Sequence, residues 1–333
     1  MNFNIKKAGP VFLAAVVILA CASVLKAQDV QNDALKFGRL LRLIDSYYVD
    51  STNVNDLTDK AIVEVLRNLD PHSVYISKEE VEKMNEPLQG NFEGVGISFN
   101  VFRDTLMVVN TIPGGPSEKV GMRAGDRITQ VNGKNIAGIG LKNADVYDLL
   151  RGKKGTKVEL KIKRKSEPGL LDFTVIRDKI PINSLDASYM LNSNTGYIKL
   201  NKFSATTTQE FNDAIRQLKT SNKLQNLVLD LRGNGGGFLT AAIELADQFL
   251  PSYKLIVYTQ GLHAEKKEYF STALGEFEQG RLAVLIDEGT ASASEIVSGA
   301  IQDWDRGVII GRRSFGKGLV QQPFMLNDGS MIR

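Results

Sequence analysis

Apolar spacing along the chain passes through three regimes. From Asp33 to Tyr48, Leu40, Leu41, Ile44, Tyr47 and Tyr48 recur at helical spacing. Asp56 to Leu69 repeats the pattern, with Leu57, Ala61, Ile62, Val65, Leu66 and Leu69 predicted inward. Asp70-Pro71 stops that helix, because the residue before a proline is driven out of the α region. Ser77-Lys78-Glu79-Glu80 has the capping-box form and opens a short helix ending near Pro87.

Gly90 marks the change to strand chemistry. Glycines in Gly94-Val95-Gly96-Ile97-Ser98-Phe99 precede an alternating strand, and Leu106 to Thr111 reads as a second. Ser117 to Val120 is a short helix, and Gly125 to Gly133 a strand closed by an Asn-Gly turn. Ala144 to Leu150 gives another helix and Val158 to Lys163 a closing strand. Ser166 to Gly169 serves as a linker or a hairpin. Beyond it, Phe173 to Ile176, Met190-Leu191 and Gly196 to Leu200 are strand-like, and Thr206 to Leu218 is helical.

From Leu224 the two periods alternate. Leu224 to Leu231 is a strand with a continuously apolar centre, Gly233 to Gly237 a turn, and Ala241 to Leu250 a helix. Strands at Lys254 to Tyr258, Leu282 to Ile286 and Val308 to Ile310 flank a helix at Ser292 to Gln302. Such alternation predicts α/β packing around a mostly parallel sheet. Charged Leu262 to Gly280 is expected to be an exposed, irregular insertion. A last strand, begun after Gly329, reaches Arg333 and is expected to leave an uncovered edge.

Composition excludes several classes of function. The 333 residues are 43% apolar and carry a formal charge of +3, which suits two or three domains with real cores and offers no field for nucleic acid. One cysteine and two distant histidines, His72 and His263, build neither a disulfide nor a metal cluster. No cofactor is implied. Lys6 and Lys7 ahead of the apolar run Val11 to Leu25 form an export signal, too short for a bilayer span of about 20 residues. Cleavage at Ala20-Cys21-Ala22 or after Ala27, lipidation of Cys21, and an uncleaved anchor all fit it. The protein is therefore expected to be periplasmic, or held on the membrane facing the periplasm.

The chemistry gathers near the C-terminal end. The strand Leu282 to Ile286 breaks at Gly289-Thr290, and a helix follows with serines at its head. First-turn N–H groups there lack intrahelical partners and can bind developing negative charge. Lys317 follows Ser292 by 25 positions, between two glycines. Together, Thr290-Ala291-Ser292-Ala293-Ser294-Glu295, Gln302-Asp303, Phe315-Gly316-Lys317-Gly318 and Asp230-Leu231-Arg232-Gly233-Asn234-Gly235-Gly236-Gly237 closely resemble the motifs of the C-terminal processing peptidases, or tail-specific proteases.

The resemblance implies a Ser-Lys dyad, with Ser292 as nucleophile, Lys317 as base and Gln321 positioning the lysine. Thr290 stands where the family has its first serine. Asp303 matches a position of supporting role in some members, and His72, in Asp70-Pro71-His72-Ser73, matches a structural one. For a lysine to act as base near neutrality, its ammonium must be destabilised by roughly 4 kcal/mol. Phe315, Leu319 and Val320 are the local side chains that could bury it. Ala293 N–H would be one oxyanion donor and Gly236 N–H the other, with Gly235 as the alternative. In an extended strand Lys317 and Gln321 would stand about 13 Å apart, so their contact requires a bend.

Residues 89–165 resemble a PDZ domain, with Gly94, Val95 and Gly96 as the carboxylate-binding loop and Phe92, Val95, Ile97 and Phe99 as pocket candidates. The same glycines also suit a plain β-bulge. The full expectation is a signal or anchor (1–27), a helical region (28–88), a PDZ domain (89–165) and a crotonase-like α/β protease core (166–333) that the family usually extends further. It implies an exported endopeptidase acting near protein C-termini, gated by its PDZ domain, whose partners are proteins or peptides with apolar C-termini. Homo-oligomerisation is left open. A catalytically inactive PDZ scaffold and an acyl-thioester enzyme of crotonase type are the alternatives.

Overall fold

The computed structural model describes residues 29–221 and 224–333. The export segment and Cys21 lie outside the described residues. The described residues divide into two compact units, those up to 77 with 322–333, and those from 78 to 321.

In the first unit, residues 29–47 are helical and a second helix spans Val54–Arg67. Asn53 caps the second, accepting from Asp56 N–H at 3.2 Å. Of its predicted inward face only Leu66 is fully buried, while Val65 and Leu69 are exposed. The unit's sheet has three strands of two residues each, too small to cover the whole face. Met331–Ile332 is the central strand, paired antiparallel with Tyr75–Ile76 on one side and Phe324–Met325 on the other. The edge expected to be uncovered is therefore paired on both sides.

The second unit contains an antiparallel sheet ordered Ile97–Val101, Leu106–Thr111, Arg127–Val131, Lys157–Lys163, Leu170–Ile176, with Lys134–Asn135 beside the third strand. Asn132 and Gly133 adopt φ of 49° and 77°, the paired positive values that favour Asn-Gly in a tight hairpin. Leu106, Val108, Ile128, Leu160 and Ile162 are buried under the helix Asn143–Leu150, which contributes Val146 and Leu150. Leu170–Ile176 pairs with Lys157–Lys163 along its whole length. Residues 166–169 are thus a hairpin within one sheet, and the boundary expected at 165/166 falls inside it.

The other layer system of this unit is a five-stranded sheet ordered Leu185–Met190, Thr195–Leu200, Asn226–Asp230, Arg281–Ile286, Val308–Gly311. Its first pair is antiparallel and the rest are parallel. Helices Thr207–Ser221, Leu239–Asp247 and Ala293–Asp303 pack with it around Phe211, Ile215, Leu229, Leu245, Phe249, Val284 and Val297, all fully buried. The loops leaving Asp230 and Ile286 lie side by side at the carboxyl ends of adjacent parallel strands, where open α/β sheets place their ligand crevices. Leu262 to Gly280 is more regular than expected. Ala264–Phe270 pairs with Leu255–Gly261 as a hairpin. Exposed on nearly all positions, that strand carries no apolar alternation to announce it.

Candidate active site

Three hydroxyls stand at the loop-to-helix junction, and the fold uses two of them. Buried Thr290 Oγ1 donates to Leu231 O at 2.9 Å and accepts from Asp287 N–H at 2.9 Å, closing the turn. Threonine therefore serves where the family motif has serine. Buried Ser294 Oγ donates to Asn234 O at 2.9 Å, stitching the helix to the glycine loop. Ser292 lies between them as the helix N-cap, with φ 56° and ψ −114°. That backbone costs an L-residue about 1–3 kcal/mol and marks strain of the kind held at functional sites. Its hydroxyl is half-buried and donates to no described residue.

The glycine run presses against this serine. Gly236 has φ +100°, and a methyl group there would lie 2.9 Å from Ser292 Cβ and Ala291 O, and 3.0 Å from Ala293 N. Gly237 has no more room, since a methyl would fall 1.9 Å from Phe203 O. Asn234, fully buried, holds the loop. Its Nδ2 donates to Leu200 O, and its Oδ1 accepts Gly236 N–H, each at 2.9 Å. The Gly236 N–H expected at the oxyanion is thus committed to Asn234, whereas the N–H groups of Gly235 and Ala293 donate to no described residue.

Asp230 anchors the strand that feeds this loop. It is fully buried and accepts from Tyr197 Oη at 2.6 Å and from Arg232 Nε at 2.9 Å. Burial alone would raise its pKa, but the bonds from Arg232 and Tyr197 outweigh it and hold the carboxyl at about 2. Burial, then Asp230, pushes Tyr197 up to about 12. Because Asp230 is depressed on folding, its contribution is complete above about pH 4 and is lost as pH falls toward 2. Asp230→Asn is accordingly expected to cost about 2 kcal/mol at pH 7 and to flatten acid unfolding between pH 4 and 2, as read by urea titration across pH.

Lys317 lies in an irregular segment, residues 312–323, where Gly316 supplies a bend at φ 88°. Beyond it Lys317 Nζ donates to Gln321 Oε1 at 2.8 Å, so residues 317–321 are not held as an extended strand. No hydrogen bond joins Lys317 Nζ to Ser292 Oγ. The expected apolar cover is absent: Phe315, Leu319 and Val320 are 69%, 60% and 57% exposed. With no regular structure to turn them inward, these side chains leave the amine half-buried.

What ties the two residues together is Glu295, which the sequence reading assigned no role. Its Oε2 accepts Ser292 N–H at 2.7 Å and Lys317 N–H at 2.9 Å, so the two backbones approach within roughly 6 Å, two hydrogen-bond lengths. Oε1 accepts Ser314 Oγ at 2.7 Å and Gly316 N–H at 2.6 Å. Burial opposes the charge, but these donors outweigh it and hold the carboxyl below its usual range. The available signal was its place three residues into the helix, where a capping carboxylate reaches back. Glu295→Gln is expected to lower kcat roughly 100-fold with KM little changed, since misplacing reacting groups by about 1 Å has that effect. Steady-state kinetics on a fluorogenic peptide would check it.

Asp303 is not brought to this site. It ends the helix that Ser292 begins, roughly 15 Å along the axis, and is exposed. His72 is also exposed, with Nδ1 3.5 Å from Asp70, and no group of metal-ligating side chains occurs among the described residues.

Within the second unit, Phe92, Gly94, Val95, Gly96 and Ile97 line one pocket, together with Phe99, Val146, Tyr147, Leu150 and Arg151. The N–H groups of Val95 and Gly96 donate to no described residue, and Gly96 has φ 74°. Val146, Tyr147 and Leu150 come from the helix Asn143–Leu150, which the sequence predicted without assigning it to the pocket. Arg151 lies over the rings of Phe92 and Tyr147 at 5.1 and 4.8 Å and pairs with Glu86.

Residues 194–333 match peptidase family S41, and residues 107–164 match the PDZ domain. The chain is 35% identical over 329 residues to a carboxy-terminal-processing protease of Bartonella bacilliformis, covering 97% of this chain and 75% of that one. It is 35% identical over 305 residues to a probable CtpA-like serine protease of Staphylococcus aureus, covering 91% of this chain and 60% of that relative's length. Among solved structures it is similar to a photosystem II D1 C-terminal processing protease, with 29% identity, 90% and 86% coverage and a TM-score of 0.49. The chain belongs to peptidase family S41, the family of the carboxy-terminal-processing serine proteases, and carries a PDZ domain.

Proposed function

We propose that the chain is an exported serine endopeptidase that cleaves proteins near their C-termini with a Ser292–Lys317 dyad. One observation carries the reading: of the hydroxyls at 290, 292 and 294, only that of Ser292 keeps its proton uncommitted. Ser292 Oγ attacks the scissile carbonyl carbon while neutral Lys317 Nζ accepts the hydroxyl proton. The tetrahedral oxyanion is held by Ala293 N–H and Gly235 N–H. Lys317 then returns the proton to the leaving amine, and water cleaves the acyl-serine by the same route. Gln321 holds the amine until the loop brings it onto Ser292. Burial of Phe315, Leu319 and Val320 against the substrate chain would dry the lysine at that moment. The parallel sheet with flanking helices supports a crotonase-like core.

In this reading the PDZ pocket takes the substrate's C-terminus. Val95 and Gly96 N–H groups receive the carboxylate, and Phe92, Ile97 and Phe99 receive an apolar side chain. Occupancy of the pocket gates cleavage. The basic-apolar N-terminus supports a periplasmic location or a membrane anchor facing the periplasm.

One feature favours a second reading, a peptide-binding scaffold without turnover: Lys317 Nζ is bonded to Gln321 rather than to Ser292. Incubation with an unfolded protein ending in apolar residues, followed by mass spectrometry of the products, separates the two. Cuts near the C-terminus by wild type and none by Ser292→Ala are expected. No product from either protein would leave the scaffold.

A further inference from the structure

Three charged side chains are buried among the described residues, and two have partners of opposite charge. Asp126 pairs with Arg164 and Asp230 with Arg232. Arg177, 8% exposed, has no carboxylate. Its guanidinium donates only to oxygen dipoles: Nε to Leu150 O at 3.0 Å, and one terminal nitrogen to Leu149 O at 3.1 Å. The other donates to Lys157 O and Thr156 Oγ1, each at 3.2 Å. Burial shifts its titration downward with no anion to oppose it. An uncompensated buried charge is costly, so its position calls for a role.

Leu149 and Leu150 end the helix that walls the peptide pocket. A methyl on Gly94 would lie 3.6 Å from Leu150 O, the carbonyl that Arg177 Nε holds. The cation therefore lies one carbonyl behind Gly94, within roughly 7 Å of the space a side chain there would take. Gly152 must be glycine for the same packing, because its methyl would meet Arg177 Nε at 3.1 Å and its φ is +146°. The other cations beside the pocket have carboxylate partners. Arg151 pairs with Glu86, Lys154 Nζ with Asp178 at 2.6 Å, and Glu93 accepts Lys154 N–H at 2.8 Å.

We propose that Arg177 is a specificity-determining residue of the PDZ pocket, supplying from behind the loop the positive charge that selects peptides ending in a free carboxylate. The proposal rests on the reading that this pocket takes a substrate C-terminus. Arg177 does not touch the peptide. Its field acts across the carbonyl layer while its hydrogen bonds fix the helix end. A unit charge at this distance in a partly buried setting changes carboxylate binding by roughly tenfold.

The test uses the full chain carrying Ser292→Ala, to prevent turnover, and two fluorescent peptides identical except for a C-terminal carboxylate or amide. The parent is expected to prefer the carboxylate. Arg177→Met is expected to lose about tenfold of that preference while amide affinity holds. Arg177→Lys keeps the charge but not the fork of hydrogen bonds, and should retain the preference even with a lowered melting temperature. Equal weakening toward both peptides in Arg177→Met, or loss of preference in Arg177→Lys, would reduce Arg177 to a structural anchor and overturn the proposal. A parent that binds both peptides alike would instead remove the carboxylate-capture reading beneath it.

Discussion

Ser292→Ala is expected to abolish peptide cleavage, lowering kcat by roughly 10⁴- to 10⁶-fold, with Lys317→Ala close behind and the double variant no worse than the single ones. Non-additivity follows because nucleophile and base act as one unit, so removing either leaves only binding and oxyanion donors. Ser294→Ala is the internal control. Its hydroxyl is spent on Asn234 O, so the variant should lose about 1 kcal/mol of stability and keep its activity. Comparable loss in Ser294→Ala and Ser292→Ala would mean that the junction matters for its shape rather than for one hydroxyl. Single-turnover cleavage of a fluorogenic peptide, with urea unfolding of each variant, reads both quantities.

Gly236→Ala should be the most damaging change outside the dyad. The new methyl would sit 2.9 Å from both Ser292 Cβ and Ala291 O, on a backbone at φ +100°. The obstructing atoms belong to the strained turn and the helix start, which cannot yield without moving the nucleophile. A loss of about 2–4 kcal/mol in stability and at least 10³-fold in kcat is expected. Gly233→Ala separates strain from clash: its φ is +71°, but nothing lies within 4 Å of the added carbon. It should cost only about 1 kcal/mol and remain active. Equal inactivation of both variants would show that loop mobility, not the contact with Ser292, sets the requirement.

The legible parts of this chain were those where local chemistry and tertiary context agree. Asn132-Gly133 announces its turn because few other pairs tolerate two positive φ values. The strand, turn and helix around Ser292 could be read because the apolar period changes at Gly289-Thr290. The pocket residues from Phe92 to Ile97 could be placed through the resemblance to a PDZ domain, since their glycines alone suit a β-bulge equally.

What escaped was set by long-range geometry. Ala264–Phe270 is a strand held by pairing alone, so its charged sequence carries no alternation. Leu170–Ile176 joins the antiparallel sheet through a hairpin that composition equates with a linker. Phe315, Leu319 and Val320 suggested a buried lysine, yet apolar residues on an irregular loop need not face inward. Asp303 shares a helix with Ser292, and the rise per residue carries it away. Glu295 caps its helix, but its carboxylate also gathers three donors from a loop about twenty residues on, which no local pattern announces.

A serine-directed fluorophosphonate, followed by peptide mapping of the labelled chain, tests the central claim most directly. The account predicts an adduct on Ser292 in the wild type, none on Ser294, and labelling slowed by orders of magnitude in Lys317→Ala. Label on Ser294, or equal labelling of Ser292 with and without the lysine, would contradict it.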